Sequence, residues 1–370
     1  MRKTIIPATD CLFRPRMVNP ENMPLTGPCF IYGNHSNYFD PFMLNMELQN
    51  EPTAGVMTRD QFHKTIPRLF MDSIGIVPTS KYVPEPGVIR QVLKMIDQQR
   101  MIVIFPEGGR RWDGRPKPLI EATLKLFWKM GIPIHPVRIH GSYLSWPRWA
   151  RVPRQSSVDV HWLNPLHASD FPDFETFSET CKQAIRFNEY DAPSSVIPTR
   201  GWSLSSGIER LLYRCPETGV SDSIYSWGGD RFSSRTGSLN YRMDLAGRLH
   251  DTHGEVHSLI DLYDRMRALP MDRAPEGHLL EEVQSTFYTL GRSNERVTLG
   301  EGAIWLYPDG IRYRFGSTRK EIDLENLYTV SVEQARKISL TTPDGTLQFT
   351  LTGSALQWQH YIRRLQKGEM

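Results

Sequence analysis

Asn34-His35-Ser36-Asn37-Tyr38-Phe39-Asp40 places an imidazole and a carboxylate five positions apart. A histidine oriented by a carboxylate is the minimum equipment for taking a proton from a hydroxyl. The same residues have a plain structural reading. Asp40 precedes Pro41, and that pair suits a helix start, with the carboxylate accepting N–H bonds at the N-cap and proline at the first helical position. His-x4-Asp is short enough to recur by chance, so it needs companions elsewhere in the chain.

Phe105-Pro106-Glu107-Gly108-Gly109-Arg110 is the second group with chemical potential. It follows the apolar run Met101-Ile102-Val103-Ile104. Pro106 ends the strand that this run predicts, and the two glycines permit close backbone approach. Arg110 carries a planar fork suited to a phosphate. Alone, the group also reads as a turn with a surface salt bridge.

The elements that would position these residues alternate in type. Short apolar runs predict strands at Cys29–Tyr32, Ala54–Thr58, Ile74–Pro78, Met101–Phe105, Pro133–Ile139 and Val158–Leu163. Helical patterns fall near Pro41–Leu48, Val88–Gln99, Leu119–Met130 and Phe174–Tyr190. This alternation predicts an α/β domain with a mostly parallel central sheet and flanking helices. Ligands bind such sheets beyond the carboxyl ends of the strands. His35 and the Glu107–Arg110 segment each lie just past a predicted strand.

A chain of 370 residues has room for two or three domains. With 39% hydrophobic and 23% charged residues it is a folding sequence rather than a disordered one. Cys11, Cys29, Cys181 and Cys215 are scattered, which predicts no disulfide framework, no intact metal site and a reducing, cytoplasmic setting. Met1–Pro7 begins with positive charge but lacks the apolar stretch of a signal peptide. No run reaches the roughly 20 apolar residues of a membrane-spanning helix, so membrane contact is expected to be peripheral. Net charge is +3. Between Met101 and Arg154, ten Lys or Arg stand against three acidic residues, a balance that fits a solvated basic face, a phosphate-bearing ligand or an anionic membrane. Within it, Tyr143–Arg154 interleaves aromatics and arginines, as a membrane-facing segment or as a packed loop covering the sheet.

Taken together, the two motifs resemble the glycerolipid acyltransferase family, whose best-known members are 1-acylglycerol-3-phosphate acyltransferases. The family's Asn-His-x4-Asp block is matched at Asn34, His35 and Asp40. Its Phe-Pro-Glu-Gly-Thr-Arg block is matched at Phe105, Pro106, Glu107, Gly108 and Arg110, with Gly109 in the place of threonine. A block in which arginine follows glycine by six residues resembles Gly75 to Lys81, with lysine for arginine; an apolar proline-containing block resembles Ile132–Val137. Asn22–Pro28 is similar to the family's lead-in to the first strand. The resemblance covers roughly residues 12–190.

It implies that His35 is the general base and Asp40 its orienting carboxylate. Lys81 and Arg110 would hold an acceptor phosphate, with Gly108 in the same binding segment, and Glu107 would orient the acceptor or Arg110. The implied acceptor is a lysophospholipid, foremost 1-acyl-sn-glycerol-3-phosphate, at a membrane surface, on the inner face of which the protein would sit. Acyl-CoA or acyl-carrier protein would be the co-substrate, with no cofactor and no nucleic-acid partner. Glycerol-3-phosphate or a lyso-aminolipid as acceptor, or a non-catalytic lipid-binding scaffold, are the alternatives. No Gly-x-Ser-x-Gly elbow is present, which disfavours a serine hydrolase.

The expected organisation is an acyltransferase domain over 1–192, a linker over 193–205, hairpins over 206–250, a helical connector over 251–295 and a β domain over 296–370. Arg214–Gly219 and Phe232–Gly237 resemble the knuckles of a zinc ribbon in which Thr218, Ser233 and Thr236 replace thiolates, so a metal-free relic is expected. The tail, closing in a helical pattern around Trp358, resembles pleckstrin-homology-like or GRAM-like modules.

Overall fold

The computed structural model describes residues 5–48, 53–58, 75–79, 86–191, 193–290, 296–333 and 336–369. Lys81 lies outside the described residues. The chain divides into two units: Met1–Ser206 with Met243–Arg248, and Gly207–Arg242 with Leu249–Met370.

The first unit runs α1 (Ile5–Phe13), β1 (Pro15–Val18), β2 (Cys29–Gly33), α2 (Asp40–Leu44), β3 (Ala54–Thr58), β4 (Ile76–Thr79), α3 (Pro86–Asp97), β5 (Met101–Ile104), α4 (Glu121–Met130), β6 (Ile134–His140), α5 (Ser142–Ser145), β7 (Val158–Trp162) and α6 (Phe174–Ile185). Its strands form one sheet in the order β1-β7-β6-β2-β5-β3-β4. The β6–β7 pair is antiparallel and the other neighbours are parallel. Strand β2 is central, and all five of its residues are buried, as expected for a strand covered on both faces. Phe30 and Tyr32 pack with Leu124, Phe127, Phe177 and Ile185 under α4 and α6. Cys29 and Ile31 turn the other way, toward Phe13, Met43 and Leu44 of α1 and α2.

Two expectations for this unit change. The helix predicted to reach Tyr190 ends at Ile185, where Arg138 takes the carbonyl of Ala184 at 2.7 Å and frees the chain to turn. The 193–205 segment is not a linker: Val196, Leu204 and Ser205 are buried within the unit, and the backbone of Thr199 donates to Gln155 at 2.9 Å. Its Pro and Ser content disguised a packed segment.

The second unit contains β8 (Ile224–Trp227), β9 (Arg231–Ser234), β10 (Asn240–Met243, of which Met243 is counted with the first unit), β11 (Leu249–His250) and β12 (Val256–His257) in one sheet, then α7 (Leu259–Ala268). A seven-stranded antiparallel sheet follows: β13 (Leu280–Leu290), β14 (Arg296–Leu306), β15 (Gly310–Phe315), β16 (Thr318–Asp323), β17 (Thr329–Glu333), β18 (Lys337–Thr342) and β19 (Gly345–Thr350). Helix α8 (Ala355–Gln366) closes the chain. Within 251–295, where a helical connector was expected, the helix is α7, over Leu259–Ala268. Strand β13 occupies the second half of that stretch because Val283, Thr286, Phe287 and Tyr288 favour a pleated surface, and Phe287 is buried against Phe349.

Candidate active site

His35 sits two residues beyond the end of β2, and its position is set from several directions. The preceding Asn34 is fully buried and clamps β6, donating to the Ile139 carbonyl at 2.9 Å and accepting the Ile139 N–H at 2.7 Å. The His35 carbonyl accepts the Arg111 backbone N–H at 2.9 Å. Its ring stacks on Phe105, with centroids 4.4 Å apart.

Asp40 completes the arrangement. Its Oδ2 lies 2.8 Å from His35 Nδ1 and also accepts the backbone N–H groups of Ser36 at 2.7 Å and Asn37 at 2.8 Å. Its Oδ1 accepts from the Ser142 hydroxyl. The carboxylate is fully buried, whereas the His35 side chain remains 18% exposed. Among the described residues, His35 Nε2 has no hydrogen-bond partner. With Nδ1–H donated to a carboxylate, the neutral tautomer leaves the Nε2 lone pair available as a base.

The cap reading of Asp40 is corrected. Helix α2 begins at Asp40 itself, Phe39 is its N-cap, and no side chain caps it. The carboxylate points back to the loop, where it gathers N–H groups that precede the helix. Its backbone opens the helix while its side chain serves the histidine.

Burial pushes the His35 pKa below its ordinary 6.5; the hydrogen bond and charge of Asp40 oppose this, and the charge of Arg110 adds to the lowering. The imidazole is therefore neutral at neutral pH, the form a general base requires. The Arg110 guanidinium lies over the Tyr38 ring, 3.6 Å from its centroid. Burial lowers the Arg110 pKa as well, with Tyr38 and Asp40 opposing, and an arginine stays cationic through such a shift.

Glu107 takes a different partner from the one expected. It is buried and forms an ion pair with Arg111, whose Nε lies 3.0 Å from each carboxylate oxygen and whose Nη2 donates to Oε1. Arg111 is also fully buried and donates through Nη1 to the Phe187 carbonyl at 2.6 Å. Glu107 thus orients neither Arg110 nor an exposed group. It neutralises an internal arginine that braces the loop behind His35. Gly108 and Gly109 turn this loop with φ of 66° and 145°, a backbone on which a threonine at position 109 would be strained. The departure from the family pattern at Gly109 thus matches the local geometry.

Ser142, Arg111 and Glu189 belong to the same network and were missed from sequence. Glu189 is fully buried; its Oε2 accepts the Gly141 N–H at 2.9 Å and its Oε1 the Ser36 hydroxyl at 3.4 Å. Burial raises its pKa to about 8, against the favourable charge of Arg111. It ties the His35 loop to the turn that carries Ser142.

The Tyr143–Arg154 segment resolves as the packed loop. Tyr143, Leu144, Trp149 and Arg154 are buried, and Trp149 Nε1 donates to the Tyr143 hydroxyl at 3.0 Å. Of the ten basic residues of the region, Arg111 and Arg154 are buried, and Arg115 and Lys125 pair with Asp113 and Glu121. In the second unit, the Cys215 thiol sits 3.3 Å from the Ser238 hydroxyl, which in turn meets Ser234 and Thr236. Ser233, expected at a lost ligand position, instead accepts from Trp227 Nε1 at 2.9 Å. Among the described residues no group of three or more His, Cys, Asp or Glu could hold a metal ion, and no helix is long and apolar enough to cross a membrane.

Residues 14–140 match the family model described as Acyltransferase. They form an acyltransferase-family domain. This domain contains the His35–Asp40 pair and the Phe105–Arg110 loop. Among relatives, a chloroplastic 1-acyl-sn-glycerol-3-phosphate acyltransferase of Brassica napus is 25% identical over 125 residues, covering 33% of this chain and 36% of that protein. A 1-acyl-sn-glycerol-3-phosphate acyltransferase of Limnanthes alba is 26% identical over 84 residues, 22% of this chain and 30% of that one. The chain thus spans about a third of the length of the curated relatives it matches. The crystal structure of the 1-acyl-sn-glycerophosphate acyltransferase PlsC from Thermotoga maritima aligns with 46% of this chain and 69% of that one, at 19% identity and a TM-score of 0.40.

Proposed function

We propose that the chain is an O-acyltransferase that moves a fatty acyl group from acyl-CoA or acyl-carrier protein to the hydroxyl of a lysophospholipid, with 1-acyl-sn-glycerol-3-phosphate as the preferred acceptor. The observation that carries this reading is the 2.8 Å contact between His35 Nδ1 and a buried Asp40 that is itself held by two backbone N–H groups. The acyltransferase-family match and the names of the relatives supply the reaction class.

In this reading His35 Nε2 takes the acceptor proton as the hydroxyl oxygen attacks the thioester carbonyl. The tetrahedral intermediate collapses, the C–S bond breaks, and the proton on His35 passes to the leaving thiolate. Asp40 fixes the tautomer and stabilises the imidazolium that forms, without itself becoming protonated. Arg110, beside the histidine, attracts the acceptor phosphate, and the Glu107–Arg111 pair keeps the loop in place. No covalent acyl-enzyme is required. The protein acts at the cytoplasmic face of a membrane as a peripheral enzyme.

Transfer of a labelled acyl group from acyl-CoA and from acyl-carrier protein to a panel of lysolipids and glycerol-3-phosphate tests the proposal. Phosphatidic acid formed from 1-acyl-sn-glycerol-3-phosphate is the expected product. Absence of transfer from either donor to every acceptor would remove the reading in favour of a lipid-binding scaffold.

A further inference from the structure

The second unit carries a face that the proposed chemistry does not use. Strands β8 and β9 form a hairpin around Gly228-Gly229, and β10 pairs with β9. Strand alternation buries Ile224, Phe232, Tyr241 and Met243 on one side. The other side presents Tyr225, Trp227, Arg231 and Arg242, all exposed, and the exposed Arg235 follows β9. Tyr225 is 39% and Trp227 42% exposed, unusual for rings that gain most from leaving water. The Arg235 guanidinium lies 5.5 Å from the Tyr225 centroid and that of Arg231 lies 5.1 Å from the Trp227 centroid. The indole N–H is engaged with Ser233, which fixes the ring across the strands. From Ile224 to Met243 the only acid is Asp230, at the turn, against three arginines.

We propose that this sheet face adsorbs to an anionic phospholipid bilayer, with Arg231, Arg235 and Arg242 on lipid phosphates and the Tyr225 and Trp227 rings in the interfacial layer. The charge is complementary, and arginine is the side chain whose fork best fits a phosphate. Tyrosine and tryptophan partition to the headgroup level, where an amphipathic ring meets both environments. A nucleic-acid strand offers the same phosphates, but it gains its further affinity by stacking bases on open aromatic faces. Here the arginines occupy ring faces that such stacking would use. The inference rests on the acyltransferase reading in one respect only: a lysophospholipid acceptor resides in a bilayer, and this face would bring the enzyme there.

The test is co-sedimentation of the full chain with vesicles of phosphatidylcholine alone and of equimolar phosphatidylcholine and phosphatidylglycerol, across a salt series. The protein should bind the mixed vesicles, increasingly weakly as salt rises, and leave the neutral ones unbound. Replacing all three arginines by glutamine should weaken partitioning about 100-fold, given roughly fivefold per basic residue near an anionic surface. The triple lysine variant, which keeps the charge, should retain most of the binding and controls for folding. Equal binding to both vesicle types, or a glutamine variant that binds like the wild type, would overturn the proposal. So would binding of a single-stranded oligonucleotide through these arginines by a protein that ignores the vesicles. Acyl transfer to detergent-dispersed lysolipid, followed in parallel, should be unchanged in the glutamine variant. If transfer is absent from every form while vesicle binding depends on the arginines, the active-site reading fails and the docking face stands.

Discussion

Asp40 Oδ2 lies 2.8 Å from His35 Nδ1 and at the same time accepts the N–H groups of Ser36 and Asn37. One carboxylate oxygen therefore fixes both the imidazole and the loop that carries it. The loop cannot move without breaking the dyad, and the aspartate stands fully buried among its donors.

Asp40→Asn tests this coupling. Asparagine retains the volume but can present an N–H where two backbone donors and the imidazole require an acceptor. Transfer should fall by about 10⁴-fold, the scale seen when the carboxylate that orients the histidine of a Ser-His-Asp triad becomes an amide. The change should appear in kcat rather than in KM, measured with saturating acyl donor. A decrease below tenfold would mean that Asp40 serves the loop alone.

The acid limb of the pH–rate profile reports His35. Because its pKa is lowered by burial, with Arg110 contributing and Asp40 opposing, the limb of kcat/KM should fall below pH 6.5, with activity lost as the imidazole protonates. Arg110→Gln removes one lowering influence, so its limb should shift toward higher pH while KM for a phosphate-bearing acceptor rises. A limb that stays in place would show that Arg110 is electrostatically remote from the base.

Glu107 and Arg111 form a buried pair in which each charge depends on the other. Glu107→Gln or Arg111→Met alone should destabilise the protein by about 3–5 kcal/mol, because either change leaves one charge buried without its partner. The double variant should lose less than the sum of the two. Urea unfolding of the four proteins reads the coupling, and simple additivity would contradict the pairing.

Glu189 gives a pH signature of stability. Its folded pKa, raised to about 8 from an ordinary 4.5, means that the folded state holds a proton the unfolded chain releases. Stability from this group is complete below about pH 4.5 and is lost as pH rises through about 8. Glu189→Gln mimics the protonated form and removes the dependence. Relative to wild type, the variant should therefore gain stability as pH rises across that window, followed by thermal unfolding at several pH values. A difference that does not change with pH would show that Glu189 is ionised throughout.

Much of the site was legible in sequence because its central parts are local. His35 and Asp40 lie within one strand-to-helix connection, and Phe105–Gly109 within one loop, so strand endings and turn residues located them. The partners that finish the site are distant in the chain. Ser142 and Glu189 reach the His35 loop across separations of 102 and 153 residues, and no local pattern encodes such contacts. Arg111 stood beside the motif, yet the choice between Arg110 and Arg111 as the partner of Glu107 depends on which side chain turns inward. The first sheet was readable because its buried strands are continuous apolar runs. Strand β13 was not, since Glu281, Glu282 and Gln284 gave it the polar texture of a helix surface. The packed 193–205 segment was hidden for the converse reason: prolines and serines spell a linker, while Val196 and Leu204 bury it.

In the proposed reaction His35 is the general base of acyl transfer. That role is tested most directly by kcat/KM for transfer of a labelled acyl group to 1-acyl-sn-glycerol-3-phosphate by His35→Ala, with circular dichroism confirming the fold. A loss of at least about 10²–10⁴-fold with an unchanged spectrum is expected. Wild-type transfer by a folded His35→Ala protein would contradict that role.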